Sequence, residues 1–189
     1  MDIRNHRSAT ASGRRQLQIE NCLFENLLHT PYQSLSVSDL CRQVGISRKA
    51  FYNYYRDKED CFCSLISRYI QDSLLHVATQ ISDNATTLEA ATALLEFWRD
   101  RRDFLDVVIR NNLMHLLLLQ NMRHVLEEDR TTLELLNTPD MKSDTDILAC
   151  YMTSQLTLVL QWYYRDFDTP AVEMAKKLLR VIHAPLIPL

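Results

Sequence analysis

Glycine is nearly absent from this sequence and proline is scarce, with two glycines and five prolines among 189 residues. Because few tight turns can be built on glycine, the composition predicts long helices joined by short links. The same scarcity excludes the glycine-rich loops that cradle phosphates and the Gly-x-Ser-x-Gly turn of many hydrolases. We therefore expect a protein that is not an enzyme and that needs no cofactor.

Long apolar runs are also missing. No stretch of about 18 uncharged apolar residues is present, so no transmembrane helix is expected. The N-terminus is polar and lacks the apolar region of a secretory signal, which predicts a cytoplasmic location. Apolar residues make up 47% of the chain and charged residues 24%, a balance typical of globular proteins.

Cysteine and histidine show no spacing typical of a metal site. Cys61 and Cys63 are two residues apart, and side chains at that spacing on a helix point away from each other. We expect the five cysteines to be free thiols, with a redox sensor at Cys63 as the alternative. Four histidines lack nearby ligand partners, so no metal is expected; they are His76, His115, His124 and His183.

The net charge of −3 is unevenly distributed. Residues 1–58 hold nine Lys and Arg against five Asp and Glu, whereas residues 59–189 hold twelve against nineteen. A basic N-terminal part on an acidic remainder is a pattern compatible with binding to nucleic acid.

The stretch from Ser36 to Lys58 is typical of two short helices joined by a tight turn. Ser36 and Asp39 have the spacing of a capping box at the start of the first helix. Gly45 suits the left-handed conformation that ends a helix, and Ser47 then caps the second helix. This is the pattern of a helix-turn-helix, whose second helix enters the DNA major groove.

The exposed residues of this stretch are the predicted DNA contacts. We expect Arg48, Lys49 and Asn53 to approach bases and Tyr52 and Tyr54 to bind phosphates. Lys58 opens the next helix, where its charge opposes the helix dipole, and a bound phosphate would explain it. The hydroxyl groups of three serines complete the predicted set; they are Ser36, Ser38 and Ser47.

The same residues resemble the N-terminal domain of the TetR family of bacterial transcriptional regulators. The motifs that carry the resemblance are Leu35-Ser36-Val37, Gly45-Ile46-Ser47, Phe51-Tyr52-Asn53-Tyr54-Tyr55 and Lys58-Glu59. The resemblance covers roughly residues 15–66. Ala50 stands where threonine is common in the family, which puts one phosphate or base contact in question.

The resemblance implies an all-α protein with a three-helix DNA-binding head and a helical body, about nine helices in total. We expect a flexible arm over residues 1–12, the helix-turn-helix domain over 13–58, and an effector-binding and dimerisation domain over 59–189. The first helix should run from about Gly13 to His29, and a long helix from about Asp57 to Ser82.

The resemblance also implies a homodimer whose two C-terminal helices form a four-helix interface. These helices are apolar on several faces, which independently favours a partner, and a two-fold dimer would read a palindromic operator. The predicted interface residues are Leu156, Val159, Leu160, Tyr163, Ala175, Leu178, Leu179 and Ile182.

TetR-like bodies generally bind a small effector that releases the DNA. The candidate effector residues here are mainly apolar and aromatic, which suits a hydrophobic or aromatic molecule. They are Phe97, Trp98, Phe104, Met114, His115, Leu118, Tyr151, Gln155 and Trp162. Residue by residue, the alternative is that these side chains only fill the core, and His115 in particular would then be a buried structural histidine.

Three functions follow from these observations. The first is a dimeric, cytoplasmic, nucleoid-associated repressor that an effector releases from its operator. The second is a DNA-binding dimer of the same fold, an activator or a structural protein of the chromosome, that acts through a protein partner and binds no effector. The third is a helical ligand sensor that has lost DNA binding, against which the intact basic residues Arg48, Lys49 and Lys58 argue.

Overall fold

The computed structural model describes residues 10–80, 82, 85–127 and 145–182, and the side chains of 125–127, 145–149, 151, 181 and 182 lie outside that description. All regular structure in these residues is helical, which confirms the predicted all-α class. The helices are α1 (Ala11–His29), a 3-10 turn (Tyr32–Ser34), α2 (Val37–Val44), α3 (Arg48–Tyr52), α4 (Lys58–Gln80), α5 (Thr87–Arg99), α6 (Arg102–Arg110), α7 (Met114–Glu127), α8 (Thr145–Tyr164) and α9 (Ala171–Ile182).

Helix boundaries follow the capping residues. The hydroxyl of Thr10 accepts a hydrogen bond from Gly13 N at 3.0 Å, so α1 begins two residues before the predicted start and includes residues 11 and 12 of the predicted arm. The rest of that arm lies outside the described residues. The predicted long helix is α4, which ends at Gln80 and not at Ser82. Thr86 and Glu89 form a second capping box at the start of α5.

The chain divides into two compact units that differ from the predicted domains. The N-terminal unit comprises Met1–Tyr69 and Asp103–Leu117, and the C-terminal unit comprises Ile70–Arg102 and Leu118–Leu189. Most of α6 therefore groups with the helix-turn-helix, although the whole of α5 separates it from α4 in the chain. The functional division at residue 58 stays a prediction.

The core of the N-terminal unit is built from every helix in it. Ile19, Leu23 and Leu27 of α1 are fully buried, and so are Leu40 of α2 and Phe51 of α3. From α4 and α6, further fully buried side chains join them; these are Phe62, Leu65, Ile66, Phe104, Leu105, Val107 and Val108. Burial of this many apolar side chains, at about 1.5–3 kcal/mol each, is the main force that assembles the unit.

In the C-terminal unit, α9 packs along α5, and α8 packs against both. Trp162 of α8 and Met174 and Ala175 of α9 are fully buried. On α5 the apolar side chains of Leu95 and Phe97 are buried almost completely. No helix in the described ranges combines the length and the hydropathy that a membrane span requires.

Gly45 provides a test of the turn. Its φ of 73° lies in the left-handed region, and a Cβ added there would meet no atom within 4 Å. We expect Gly45→Ala to lower the free energy of unfolding by about 1–2 kcal/mol, because the cost is conformational and not steric. Gly45→Asn is the matched control, since asparagine tolerates this conformation, and should cost clearly less. Urea unfolding measures both, and equal losses would contradict the explanation.

Candidate nucleic-acid interface

The turn between α2 and α3 is fixed by hydrogen bonds at both of its ends. The capping box at the start of α2 is complete: Asp39 N donates to Ser36 Oγ at 3.1 Å, and Ser36 N donates to Asp39 Oδ2 at 3.2 Å. At its end, the N–H groups of Gly45 and Ile46 both donate to Cys41 O. Ser47 Oγ then accepts from Ala50 N at 3.1 Å and starts α3. These bonds confirm the predicted helix-turn-helix.

The two capping serines differ in whether their hydroxyl hydrogen is free to bind a phosphate. Ser36 Oγ donates its hydrogen to Asp39 Oδ2 at 2.5 Å, so that hydrogen is already used. These bonds from Ser36 hold the pKa of the Asp39 carboxyl below its usual range. Ser47 Oγ acts as an acceptor at its cap, and a hydroxyl in that role can still donate its hydrogen to a phosphate. Of the predicted serine contacts, Ser47 is therefore the better placed.

Most of the predicted DNA contacts lie at the surface. Ser38, Lys49 and Asn53 are exposed, and Tyr54 is half-buried. Asn53 follows the last residue of α3 and is not part of the helix, because α3 is only five residues long. The buried face of this segment consists of Phe51 and Tyr55, whose rings are 5.6 Å apart.

Arg48 and Tyr52 form a pair one turn apart on α3. The Arg48 guanidinium lies 5.9 Å from the centre of the Tyr52 ring, and Nη2 lies 3.4 Å from the tyrosine hydroxyl. Tyr52 is 47% exposed, which is unusual for so large an apolar ring. The pair therefore places a positive charge and a hydroxyl together on the outer face of α3.

Lys58 has contacts that the sequence did not reveal. Its Nζ donates to Leu35 O at 2.6 Å and to Tyr32 O, and lies 4.0 Å from the centre of the Tyr32 ring. Burial lowers the pKa of this lysine from its ordinary value. Its ammonium group thus holds the link between α1 and α2, a role that differs from the phosphate contact predicted from its sequence position. The phosphate contact stays a prediction.

The end of α6 holds the same link from another direction. Arg110 Nη2 donates to Leu27 O at 2.9 Å and to Leu28 O at 3.0 Å, where the last carbonyl groups of α1 lack helical partners. Asn111 Oδ1 accepts from Tyr32 N at 2.7 Å. Arg110 and Asn111 were not predicted from the sequence, because their partners lie about 80 positions earlier in the chain and no local pattern marks them.

The predicted effector residues fall into both compact units. Phe104 belongs to the N-terminal unit, where its ring stacks on Tyr69 with 4.0 Å between centroids. Met114 is half-buried, and His115 is exposed, contrary to the buried alternative. In the C-terminal unit, Leu118 is 36% exposed.

Four candidate effector residues are buried side chains on helices of the C-terminal unit. Phe97 and Trp98 belong to α5, and Gln155 and Trp162 belong to α8. Gln155 and Trp162 are seven positions apart, which places them on one face of α8. Trp162 Nε1 has no hydrogen-bond partner among the described residues. The side chain of Tyr151 lies outside the described residues.

The predicted dimer residues are in part core residues of their own chain. Leu156, Val159, Ala175 and Leu178 are at most 5% exposed in the single chain, so they retain little surface for a partner. The apolar pattern marked a buried face but did not reveal that α5 covers it. Three others are only half-buried and keep surface available; they are Leu160, Tyr163 and Leu179. The side chain of Ile182 lies outside the described residues.

A capped helix-turn-helix whose second helix, the reading helix α3, exposes arginine, lysine and tyrosine is the arrangement of a DNA-binding domain. Comparison with known proteins agrees. A family model described as "Bacterial regulatory proteins, tetR family" matches residues 25–65. The chain is 36% identical over 86 residues to the HTH-type transcriptional regulator EthR of Mycobacterium tuberculosis, a match that covers 44% of this chain and 39% of that relative.

Solved structures extend the similarity to the whole fold. A TetR-family transcriptional regulator from Streptomyces coelicolor superimposes with a TM-score of 0.60 at 15% identity, over 89% of this chain and 96% of that one. The fatty acid degradation regulator FadR from Bacillus halodurans gives 0.58 at 16% identity, over 94% and 98%. The N-terminal part of the chain therefore matches the TetR family of bacterial regulators, and the described residues share the fold of a solved TetR-family structure.

Lys58 distinguishes a structural contact from a DNA contact. We expect Lys58→Met to lower the free energy of unfolding by about 1–2 kcal/mol, because two backbone carbonyl groups lose a charged donor. Lys49→Met, at an exposed lysine nearby, is the control and should leave stability unchanged. Thermal unfolding measures both. Unchanged stability of Lys58→Met, together with a shallower salt dependence of DNA binding, would instead support the phosphate contact.

Proposed function

We propose that the protein is a homodimeric regulator that binds a palindromic DNA operator through α3. The observation that carries this proposal is the outer face of the reading helix, where Arg48 and Tyr52 form an exposed pair beside exposed Lys49. The N-terminal residues of a reading helix are the ones that meet base edges. An arginine at its first position suits the bidentate contact to guanine.

The remaining exposed groups are suited to the DNA backbone. The hydroxyl groups of Ser47, Tyr52 and Tyr54 are phosphate donors in this proposal. Lys49, which was expected near the bases, is assigned here to a phosphate, because its ammonium is a point charge without the planar fork that Arg48 offers to guanine. Asn53 follows α3 and would contact either a base or a phosphate. Such contacts fix the register of the protein on the duplex, and Arg48 then supplies most of the sequence discrimination.

The dimer is proposed on the surface that α8 and α9 leave uncovered. Tyr164 is 68% exposed and Val172 is 37% exposed, and both are large apolar side chains. Together with the half-buried Leu160, Tyr163 and Leu179, they offer an apolar face for the same face of a second copy. Two reading helices related by a two-fold axis require half-sites about 34–36 Å apart or a multiple of this.

An effector site is proposed in the C-terminal unit, beside Trp162. A buried N–H without a partner costs about 1–3 kcal/mol, and a ligand oxygen would satisfy it. The surrounding side chains are apolar and aromatic, which suits a hydrophobic effector that carries one hydrogen-bond acceptor. One structural relative, FadR of Thermus thermophilus, was solved in complex with lauroyl-CoA. Lauroyl-CoA is therefore the first ligand to test. In this proposal the protein is a cytoplasmic repressor, and binding of the effector ends the repression.

The alternative function is a DNA-binding dimer that acts through a protein partner and binds no effector. The observation that favours it is the exposed apolar surface of α7, where Leu119 and Met122 are each 52% exposed. The two functions share the operator contacts and differ only in what regulates them.

The operator proposal is tested by selection from random duplex DNA with the purified protein. We expect enrichment of a palindrome, and we expect Arg48→Ala to reduce discrimination against operators with one changed base by about 1–3 kcal/mol at that position. Lys49→Ala is the matched control: as a phosphate contact, it should weaken binding to all sequences alike and reduce the salt dependence. An equal loss on every sequence for Arg48→Ala would refute its role in base reading.

The effector proposal is tested by unfolding in the presence of ligands, beginning with lauroyl-CoA. An effector at about 100 times its Kd should stabilise the protein by about 2.7 kcal/mol and release the operator. In Trp162→Phe, the loss of one hydrogen bond should weaken binding of that ligand about five- to tenfold and lower the stabilisation to about 1.4–1.8 kcal/mol. Stabilisation of the variant equal to that of the wild type would remove Trp162 from the site, and an operator complex that no hydrophobic ligand releases would favour the partner-dependent alternative.

A further inference from the structure

Glu20 is a charged residue inside the core of the N-terminal unit. It lies on α1 between the fully buried Ile19 and Leu23, and its own side chain is 0% exposed. Removing a carboxylate from water is costly unless charged and polar partners replace the lost hydration. The contacts of Glu20 therefore indicate which parts of the unit must be in place before the unit is stable.

Those partners come from two other segments of the unit. Tyr55 Oη donates to Glu20 Oε1 at 3.0 Å, and Ser64 Oγ donates to the same oxygen at 2.7 Å. Arg68 Nε donates to Oε2 at 2.7 Å and forms an ion pair with the carboxylate. Arg68 Nη2 also donates to Asn21 Oδ1 at 2.8 Å, which ties the guanidinium to α1 a second time.

Tyr55 connects this cluster to the reading helix. Its backbone N–H donates to Phe51 O at 3.1 Å, and its ring packs against the Phe51 ring. Phe51 is the buried residue of α3, and its ring contacts that of the exposed Tyr52 with 5.6 Å between centroids. A shift of the Tyr55 hydroxyl would therefore move the inner face of α3, and the DNA-facing side chains would move with it.

We infer that Glu20 is a positioning residue for operator recognition, which sets the orientation of α3 through the hydroxyl of Tyr55 and locks it to α4 through Ser64 and Arg68. This inference rests on the proposed binding of α3 to an operator. It assigns a role in sequence discrimination to a carboxylate that never touches DNA. The role requires a carboxylate, because both oxygens of Glu20 accept hydrogen bonds. A glutamine would replace one oxygen with an NH2 group, which would face the donor groups of Tyr55 and Ser64 or that of Arg68.

A purely structural ion pair would behave differently. Losing it would lower the stability of the whole unit, but the folded molecules that remain would bind operator and non-specific DNA in the usual ratio. A positioning residue changes that ratio, because base contacts depend on the placement of α3 whereas phosphate contacts are tolerant of small shifts. The ratio of operator to non-specific affinity is thus the deciding quantity.

The experiment compares the full-length wild type with Glu20→Gln and Tyr55→Phe. Glu25→Gln is the matched control, because Glu25 is an exposed glutamate on the same helix. Binding to the selected operator and to a scrambled duplex of equal length is measured well below the unfolding temperature of each variant. Tyr55→Phe removes one hydroxyl and keeps the ring, so it covers the case in which Glu20→Gln does not fold.

We expect both test variants to lose about five- to tenfold in operator affinity, the value of one to two hydrogen bonds, with non-specific affinity unchanged. The Glu25→Gln control should bind like the wild type. An unchanged ratio in Tyr55→Phe would overturn the inference while leaving the proposed function intact. A wild-type protein that selects no sequence would overturn both.

Discussion

The pairing of one buried carboxylate constrains the whole N-terminal unit. Glu20 is inaccessible to water, so its charge is tolerable only when donors surround it. Its donors belong to the segment after α3 and to α4, at positions 35 to 48 residues away from it in the chain. Apolar packing alone would permit α1 and α4 to slide by small amounts, whereas directional bonds to both carboxylate oxygens fix their register.

This constraint matters because the reading helix is too short to be stable alone. Five residues form little more than one turn, and isolated helices of that length do not persist in water. The orientation of α3 is therefore imposed from outside: by the cap at Ser47, by the left-handed Gly45 and by the buried rings of Phe51 and Tyr55. The positions of the exposed side chains on α3 therefore depend on how the core beneath it is packed.

How far the sequence predicts the structure depends on the distance between interacting residues. The capping box of α2 was predicted from two residues three positions apart, and the turn was predicted from one glycine in a chain that has only two. Phe51 and Tyr55, which are four positions apart, are both buried. In each case one turn of helix decides the conformation, so local physics is sufficient.

Contacts between distant residues escaped prediction for the same reason. Glu20 precedes Leu23 and Leu27 at helical spacing, which places a carboxylate on the buried stripe of α1 and signals that it needs a partner. Nothing in the sequence identifies Arg68 as that partner, since the two are 48 residues apart. Lys58 is a second case: its unfavourable position at a helix start was noticed in the sequence, but its acceptors, 23 and 26 residues earlier, were not.

The helix-turn-helix carries other positive charges besides Lys58. Arg48 and Lys49 remain exposed, while Arg42 and Arg56 form ion pairs with Asp39 and Asp60.

Those two arginine side chains are 76% and 83% exposed, and ion pairs at such exposure contribute about 0–1 kcal/mol. A phosphate can therefore compete for either guanidinium at little cost to the fold. Both carboxylates keep other hydrogen bonds when the arginine leaves, since Asp39 caps α2 and Asp60 accepts from Arg56 N. The helix-turn-helix thus holds two further cations, Arg42 and Arg56, whose ion pairs add little to its stability.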